Sequence, residues 1–405
     1  MTMIDDPSAS DGRRIRAIRK RADLNQKELA ARVGKTQSWV SQVEHDIIPV
    51  DSISLLNELA KALRVHPNEI VGKPYRGDNP NSDAGHQAIP EIRRQVERYD
   101  LPPAWDGPIS PLPVLQGKVS ALAHLGLQAR YTAAAQQAPP LLAELQAATY
   151  IHTGTQREQA CQLLADAYRE VYALVQALGY GDLAGLVTRN VRWFAGQSGD
   201  PLMVAAGGFL RTRDLWSSAS WGDALLVTDR TLADIGDLNT PDALEVQTFG
   251  HLAAAVTAAR AANEAEAWER HTRAVETIKL LPPERPAVDR YRFSSNGANV
   301  AIHGVAVAVE LRNGQKAIEL GADLHLPDDM PPYRVGHHYM DMARGWLWYG
   351  DREKALRSME QAYRAAPMMI RHHPMARRCV RQLREAPGRT YQERLRRLCV
   401  RMQVL

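Results

Sequence analysis

Apolar residues between Ile15 and Val71 recur at three- and four-residue spacing and are interrupted by short polar turns. That period marks amphipathic helices. Ile15, Ile18 and Ala22 define a first helix. Asn25 caps a second from Gln26 to Val33, with Leu29, Ala30 and Val33 inward. Gly34 supplies a turn that needs positive φ. Thr36 caps a third helix, on which Val40 and Val43 point to the core. Ser52 starts a fourth carrying Leu55, Leu56, Leu59, Ala60 and Leu63, and Pro67 opens a short fifth ending near Val71. Five helices with one apolar centre make a compact domain, assigned here to residues 11–72.

The pattern then lapses. From Gly72 to Ile89 the chain is rich in Gly, Pro, Asn, Asp and Ser, and a second proline-rich stretch runs from Pro102 to Pro113. Residues 73–113 therefore read as a linker with one short helix from Glu91 to Tyr99, able to let its neighbours reorient. Beyond it, residues 114–405 are helical throughout, with no alternating strand pattern. Thr155 with Glu158 has capping-box spacing, and Asp200-Pro201 and Thr240-Pro241 pair a cap with proline at the first helical position. Turns near Gly222, Asn263, Gly314 and Gly350 punctuate helical hairpins, loosely matching the roughly 34-residue period of tetratricopeptide repeats. The fold class expected is all-α: a five-helix N-terminal domain followed by a curved solenoid of stacked helical pairs.

Composition changes this picture little. Hydrophobic content is 45% and charged content 24%, ordinary for a chain with a packed core. The three cysteines, Cys161, Cys379 and Cys399, are too scattered for a disulfide framework or zinc knuckle and suggest a reducing compartment. No apolar run approaches the roughly 18 residues of a membrane span, and no signal sequence is evident, so a cytoplasmic location is expected. Charge is more informative where it clusters. Residues 13–35 carry nine Lys or Arg against Asp23 and Glu28, suited to phosphate contact; residues 371–401 carry ten Arg against two acids and read first as a solvated helical face.

The chemistry lies in the second and third helices. Two short helices joined by a glycine turn form a helix-turn-helix, whose second helix enters the DNA major groove. The outward set on that helix is Gln37, Ser38, Ser41 and Gln42. Glutamine can bond adenine bidentately, and serine serves several bases. Gln26, Lys35 and Thr36 are placed to bond phosphates through side chains and helix-terminal amides. Trp39 either half-buries against the fourth helix or stacks along the DNA backbone.

Leu24-Asn25-Gln26, Glu28-Leu29-Ala30, Val33-Gly34, Thr36-Gln37 and Glu44 together resemble the phage-repressor-like (XRE, Cro/C1-type) DNA-binding domain over about residues 13–71. The resemblance implies a lambda-repressor-like fold. It also implies DNA contacts at Gln26, Gln37, Ser38 and Gln42, and a structural pair between Arg19 and Glu44. The chain departs from the common pattern at His45-Asp46-Ile47-Ile48-Pro49, where a glycine-containing turn is usual. The remainder resembles the helical C-terminal region of large bacterial regulators with tetratricopeptide-like repeats, on Asn299 to Leu311 and Ala343 to Pro367.

Other constellations fall short. Gly34-Lys35-Thr36 lacks the glycine a phosphate-binding loop needs five residues earlier, where Leu29 stands. His337-His338 and His372-His373 are adjacent pairs, whose side chains diverge by about 100° on a helix, so no metal site is expected. No catalytic motif and no cofactor are indicated. Asn190 with Trp193, and Asn299 with His303, are polar residues within apolar helices; they either bind a peptide or small ligand or satisfy one another between packed helices. The chain is thus expected to be a bacterial, non-enzymatic transcription regulator that binds double-stranded DNA as a homodimer. Its repeat domain would serve ligand sensing and dimerisation. The alternative is a DNA-tethered scaffold acting mainly by recruiting proteins or peptides.

Overall fold

The computed structural model describes residues 9–74, 80–236, 238–282, 290–385 and 391–404, and these residues contain helices and no strand. Five helices form the N-terminal domain: α1 (Asp11–Arg21), α2 (Gln26–Arg32), α3 (Gln37–Glu44), α4 (Ile53–Leu63) and α5 (Pro67–Val71). Side chains of Ser10, Asn25, Thr36 and Ser52 each accept a backbone N–H at the start of α1 to α4, satisfying donors the helix itself leaves open. Gly34 has φ +62°, the left-handed conformation the turn between α2 and α3 requires. Ile15, Ile18, Leu29, Leu59 and Ile70 are fully enclosed between these helices.

Two helices follow where the sequence suggested one. They are α6 (Pro80–Gln87) and α7 (Ile89–Glu97). The polar, glycine-containing sequence of α6 gives little propensity, so packing decides its conformation. His86 is buried there and reaches the Tyr180 hydroxyl at 2.9 Å. Residues 75–79 of the expected linker lie outside the described residues. Ile92 and Val96 of α7 are fully buried, and α7 packs on the helices of the larger domain.

The rest is a solenoid of antiparallel helices. It comprises α8 (Leu112–Leu127), α9 (Tyr131–Ile151), α10 (Gly154–Leu178), α11 (Gly181–Ala195), α12 (Pro201–Ser217), α13 (Trp221–Ile235) and α14 (Pro241–Arg260). It continues through α15 (Glu264–Ile278), α16 (Gly297–Glu310), α17 (Gly314–Gly321), α18 (Pro332–Tyr349), α19 (Arg352–Ala365), α20 (Pro367–His372), α21 (Pro374–Glu385) and α22 (Gln392–Met402). Consecutive helices pair as hairpins, and the even-numbered helices from α8 to α18 pack each on the next to form an inner layer. Asp200 and Thr240 cap α12 and α14 as their Asp-Pro and Thr-Pro pairs imply. The capping box expected at Thr155 and Glu158 does not form: α10 begins at Gly154, one residue earlier, and Thr153 makes no side-chain cap bond. Where α14 crosses its neighbours, a Cβ on Gly250 would come within 2.6 Å of Leu232 and 2.7 Å of Phe209, so only glycine allows that approach.

The solenoid curls until its ends meet. Thr132 at the start of α9 donates to the Met368 sulfur at 3.8 Å, α10 touches α20, and the His86 and His372 rings lie 5.9 Å apart. The N-terminal domain is seated against this ring rather than hanging from a linker. Asn57 donates to the Trp216 carbonyl at 2.5 Å and Asn68 to the Gly179 carbonyl at 2.7 Å. Asp51 pairs with Arg312, and Asp11 pairs with Arg378 and Arg381. Reorientation of the two domains would break all of these together.

Candidate nucleic-acid interface

The start of α3 faces away from the solenoid. Lys35, Thr36, Gln37 and Ser38 are exposed, while Trp39, Ser41 and Gln42 are half-buried. The Thr36 hydroxyl oxygen accepts from the Trp39 N–H at 3.1 Å, which fixes the first turn of the helix and leaves its own proton to donate. Trp39 packs its ring partly against the core, and the Lys35 ammonium lies 5.9 Å from that ring. Of the nine cations between residues 13 and 35, Arg14 and Arg19 are buried and the other seven are exposed.

Glu44, at the end of α3, is consumed by internal contacts. Arg19 Nε donates to one carboxylate oxygen at 2.5 Å and Nη2 to the other at 2.9 Å, while Nη1 holds the Leu24 carbonyl at 2.6 Å. Gln26 adds a third bond to Glu44 at 2.9 Å. Burial opposes the charge on Glu44, but the bonds from Arg19 and Gln26 outweigh it and hold the carboxyl below its ordinary range. Gln26 thus has one amide proton committed inside the domain and its carbonyl oxygen remaining. The cluster ties α1, α2 and α3 into a fixed angle, which is what presents Gln37 and Ser38 together.

The loop after α3 also has an internal anchor. Asp46 adopts φ +60°, and its carboxylate accepts from Ser10 Oγ at 2.5 Å and the Gly12 N–H at 3.0 Å, holding the start of α1. This role was not read from the sequence; Asp tolerance of left-handed backbone is the signal that pointed to it. The neighbouring Ile47 is 69% exposed.

Residues 12–70 match the family described as a helix-turn-helix domain. The N-terminal domain is a helix-turn-helix domain. No curated protein sequence matches the chain. Among solved structures, it is similar to BtubC (BKLC) from P. vanneervenii at 14% identity and TM-score 0.35, covering 68% of this chain and 96% of that one. It is also similar to Bacillus thuringiensis PlcR, in complex with the peptide PapR7 and DNA, at 15% identity and TM-score 0.28, covering 67% and 95%.

Outside the helix-turn-helix domain, the four residues considered for ligand binding separate into two groups. Asn190 is fully buried and donates to the Val96 carbonyl at 2.8 Å, joining α11 to α7. Trp193 is 51% exposed, its ring edge-on to Tyr99 at 5.7 Å. Asn299 and His303 lie on the inner helix α16 and are joined by Arg334 of α18. The guanidinium bonds the Asn299 side-chain oxygen and lies 2.9 Å from His303 Nδ1. Arg334 stands alone in the sequence and gave no signal there; the packing of α18 on α16 brings it to His303. No cluster of three or more potential metal ligands occurs among the described residues, nor any helix long and apolar enough to cross a membrane.

Proposed function

We propose that this protein is a sequence-specific transcription regulator that binds double-stranded DNA as a homodimer in the bacterial cytoplasm. The observation that carries this reading is the free edge from Lys35 to Ser38 on a helix-turn-helix domain whose opposite side is anchored to the solenoid. Gln37, Ser38, Ser41 and Gln42 read base edges in the major groove. Lys35 and Thr36 hold phosphates at the helix start, and Gln26 joins them through its free carbonyl side or after exchange of its bond to Glu44. Trp39 braces the recognition helix. Two copies place their recognition helices about one DNA turn apart on a palindromic site.

The solenoid sets the geometry of that dimer, and a ligand acts by favouring one arrangement over another. It functions as a sensory and dimerisation domain and not as an enzyme. Selection of bound duplexes from a random library by the full-length protein tests the reading. Enrichment of a two-fold symmetric site, bound by two chains and weakened steeply by salt, is the expected result. Failure of any sequence to compete better than random duplex would end it.

A further inference from the structure

Residues 371–401 carry ten arginines, and the structure gives most of them partners. Arg371 and Arg377 donate to backbone carbonyls at the end of α22. Arg378 and Arg381 hold Asp11 of the helix-turn-helix domain. Arg396 makes a two-bond fork on Glu393, both bonds 2.9 Å, and Arg394 another on Glu360 at 3.2 and 2.5 Å. Arg397 reaches Glu393 only at 3.9 Å, on an oxygen that Arg396 already bonds. The Arg401 guanidinium has no hydrogen bond or ion pair among the described residues, and neither has that of Arg364 on α19.

These three leftover cations border one space. A cavity of about 460 Å³ lies between α19 and α22. Tyr363 and Arg364 line it from α19, Arg397, Leu398 and Arg401 from α22, and the Arg394–Glu360 fork forms part of its wall. Arg394, Arg397 and Arg401 are spaced by three and four residues, so they form one stripe on α22. The wall thus carries four arginines against one carboxylate, which Arg394 already occupies. The other glutamates of the two helices, Glu353 and Glu393, are bonded by Arg357 and Arg396. Arg364 and Arg401 each stand in the last turn of a helix, where a cation is favourable. That preference accounts for each singly, but not for both bordering one cavity together with Arg397. The cleft is also held in shape: the Tyr363 hydroxyl donates to the Arg401 carbonyl at 3.1 Å and ties α19 to the end of α22.

We propose that this cleft binds a small molecule carrying a di- or triphosphate group, held by Arg364, Arg397 and Arg401. A terminal phosphate brings up to about two charges and three acceptor oxygens on one group, where a carboxylate brings one charge and two oxygens. Guanidinium forks match phosphate oxygens in pairs, and charge-assisted bonds are the stronger class. The volume falls within the roughly 300–1,000 Å³ of small-molecule sites, and a concave cleft of that size admits a few phosphates but not the convex flank of a duplex. Tyr363, half-buried, and Leu398, buried, are left to face the organic part of the ligand. The three arginines are exposed, so the ligand enters without opening the ring. The inference names the ligand class of the sensory domain proposed above and rests on that reading for its consequence.

The test uses the full-length protein without DNA, so its failure and the failure of operator binding are separate results. Calorimetric titration and thermal unfolding compare sodium pyrophosphate, sodium tripolyphosphate and sodium citrate, each against sodium chloride of equal ionic strength. Both phosphates are expected to bind and to raise the melting temperature above the chloride control, with citrate weaker by about tenfold or more. Arg397→Gln and Arg401→Gln should each weaken pyrophosphate by about tenfold or more, because each removes one charged contact. Both side chains are exposed, so the variants should melt in chloride as the wild type does. Arg352→Gln, at an exposed arginine at the start of α19 outside the cleft, should bind as the wild type does. No binding beyond chloride, equal binding by the wild type and Arg401→Gln, or citrate as tight as pyrophosphate would overturn the proposal. Weakened duplex DNA binding by Arg401→Gln, with no pyrophosphate binding by the wild type, would also overturn it and give these arginines to the DNA backbone.

Discussion

Asp51 of the helix-turn-helix domain and Arg312 at the end of α16 meet at 2.8 Å across 261 residues of chain. The same carboxylate accepts from the Trp348 indole at 3.2 Å, and the Asp51 carbonyl accepts from Arg344 at 3.2 Å. One residue before the α4 cap thus gathers donors from two helices of the ring. Because the Arg312 side chain is 53% exposed, the ion pair alone contributes at most about 1 kcal/mol; the more enclosed indole bond adds a similar amount. Asp51→Ala should therefore loosen the domain from the ring without unfolding either. In scanning calorimetry the variant should show a separate, earlier transition for the helix-turn-helix domain. A single unfolding peak unchanged in position would show that the remaining contacts suffice.

The pairing of Arg19 with Glu44 is of a different weight. The Glu44 side chain has no exposed surface and that of Arg19 only 9%. Removing one partner leaves the other buried and uncompensated, which typically costs about 3–5 kcal/mol. Glu44→Ala should lower the stability of the helix-turn-helix domain by that order, measured by urea denaturation. Replacing both partners by Met and Leu should cost much less than the two single changes combined. The sign with pH follows from the depressed carboxyl: this stabilisation is present above its unfolded value, about 4.3, and is lost only as pH falls further.

Much of the N-terminal domain was legible because its signals are local. Asn25, Thr36, Ser52 and Pro67 mark helix starts within one turn of the residues they cap, and Gly34 declares its own backbone conformation. The all-α solenoid was legible from periodicity. What sequence could not supply was set by contacts between distant segments. Helix α6 has weak propensity and is held by His86 against Tyr180, 94 residues away. The seating of Asp51 on Arg312 depends on how far the solenoid curls, and the meeting of Arg334 with His303 on how α18 packs against α16. Asn190 illustrates the converse: a polar residue in an apolar helix left both a ligand-binding and a packing role open, and its side chain bonds the backbone of α7.

The exposed edge of α3 gives a prediction that separates reading from holding. Gln37→Ala and Gln42→Ala should each cost about 1–3 kcal/mol on the selected site while leaving random duplex binding unchanged. Lys35→Ala should weaken binding to every sequence alike and reduce the slope of log affinity against log salt by about one. Fluorescence titrations at several salt concentrations distinguish the two behaviours. If Lys35→Ala relaxed sequence preference, or the glutamine variants changed only the salt slope, the roles would have to be exchanged.

Buried histidines give the ring a second, higher acid limb. Burial is the first cause for each: with nearby arginines it takes His337 down to about 3 and His251 to about 4, with Lys73, His86 and two arginines it takes His372 to about 3, and by itself it takes His338 to about 4. In the unfolded chain these rings take up protons near 6.5, so they bind more protons unfolded than folded below that pH. Stability they permit above about 6.5 is then lost on acidification, at up to about 1.4 kcal/mol per pH unit for each ring. Burial raises the Asp341 carboxyl to about 6 and raises those of Asp214, Glu170 and Glu58 as well, and these oppose the fall, but burial also holds His303, His373 and His66 down, so the depressed histidines outnumber the raised carboxyls. The melting temperature of the ring should therefore fall between pH 7 and pH 5, well above the range in which Glu44 titrates. His337→Gln should flatten that fall, being unable to charge in the unfolded state. A melting temperature constant from pH 7.5 to 5.5 would mean that water reaches these rings.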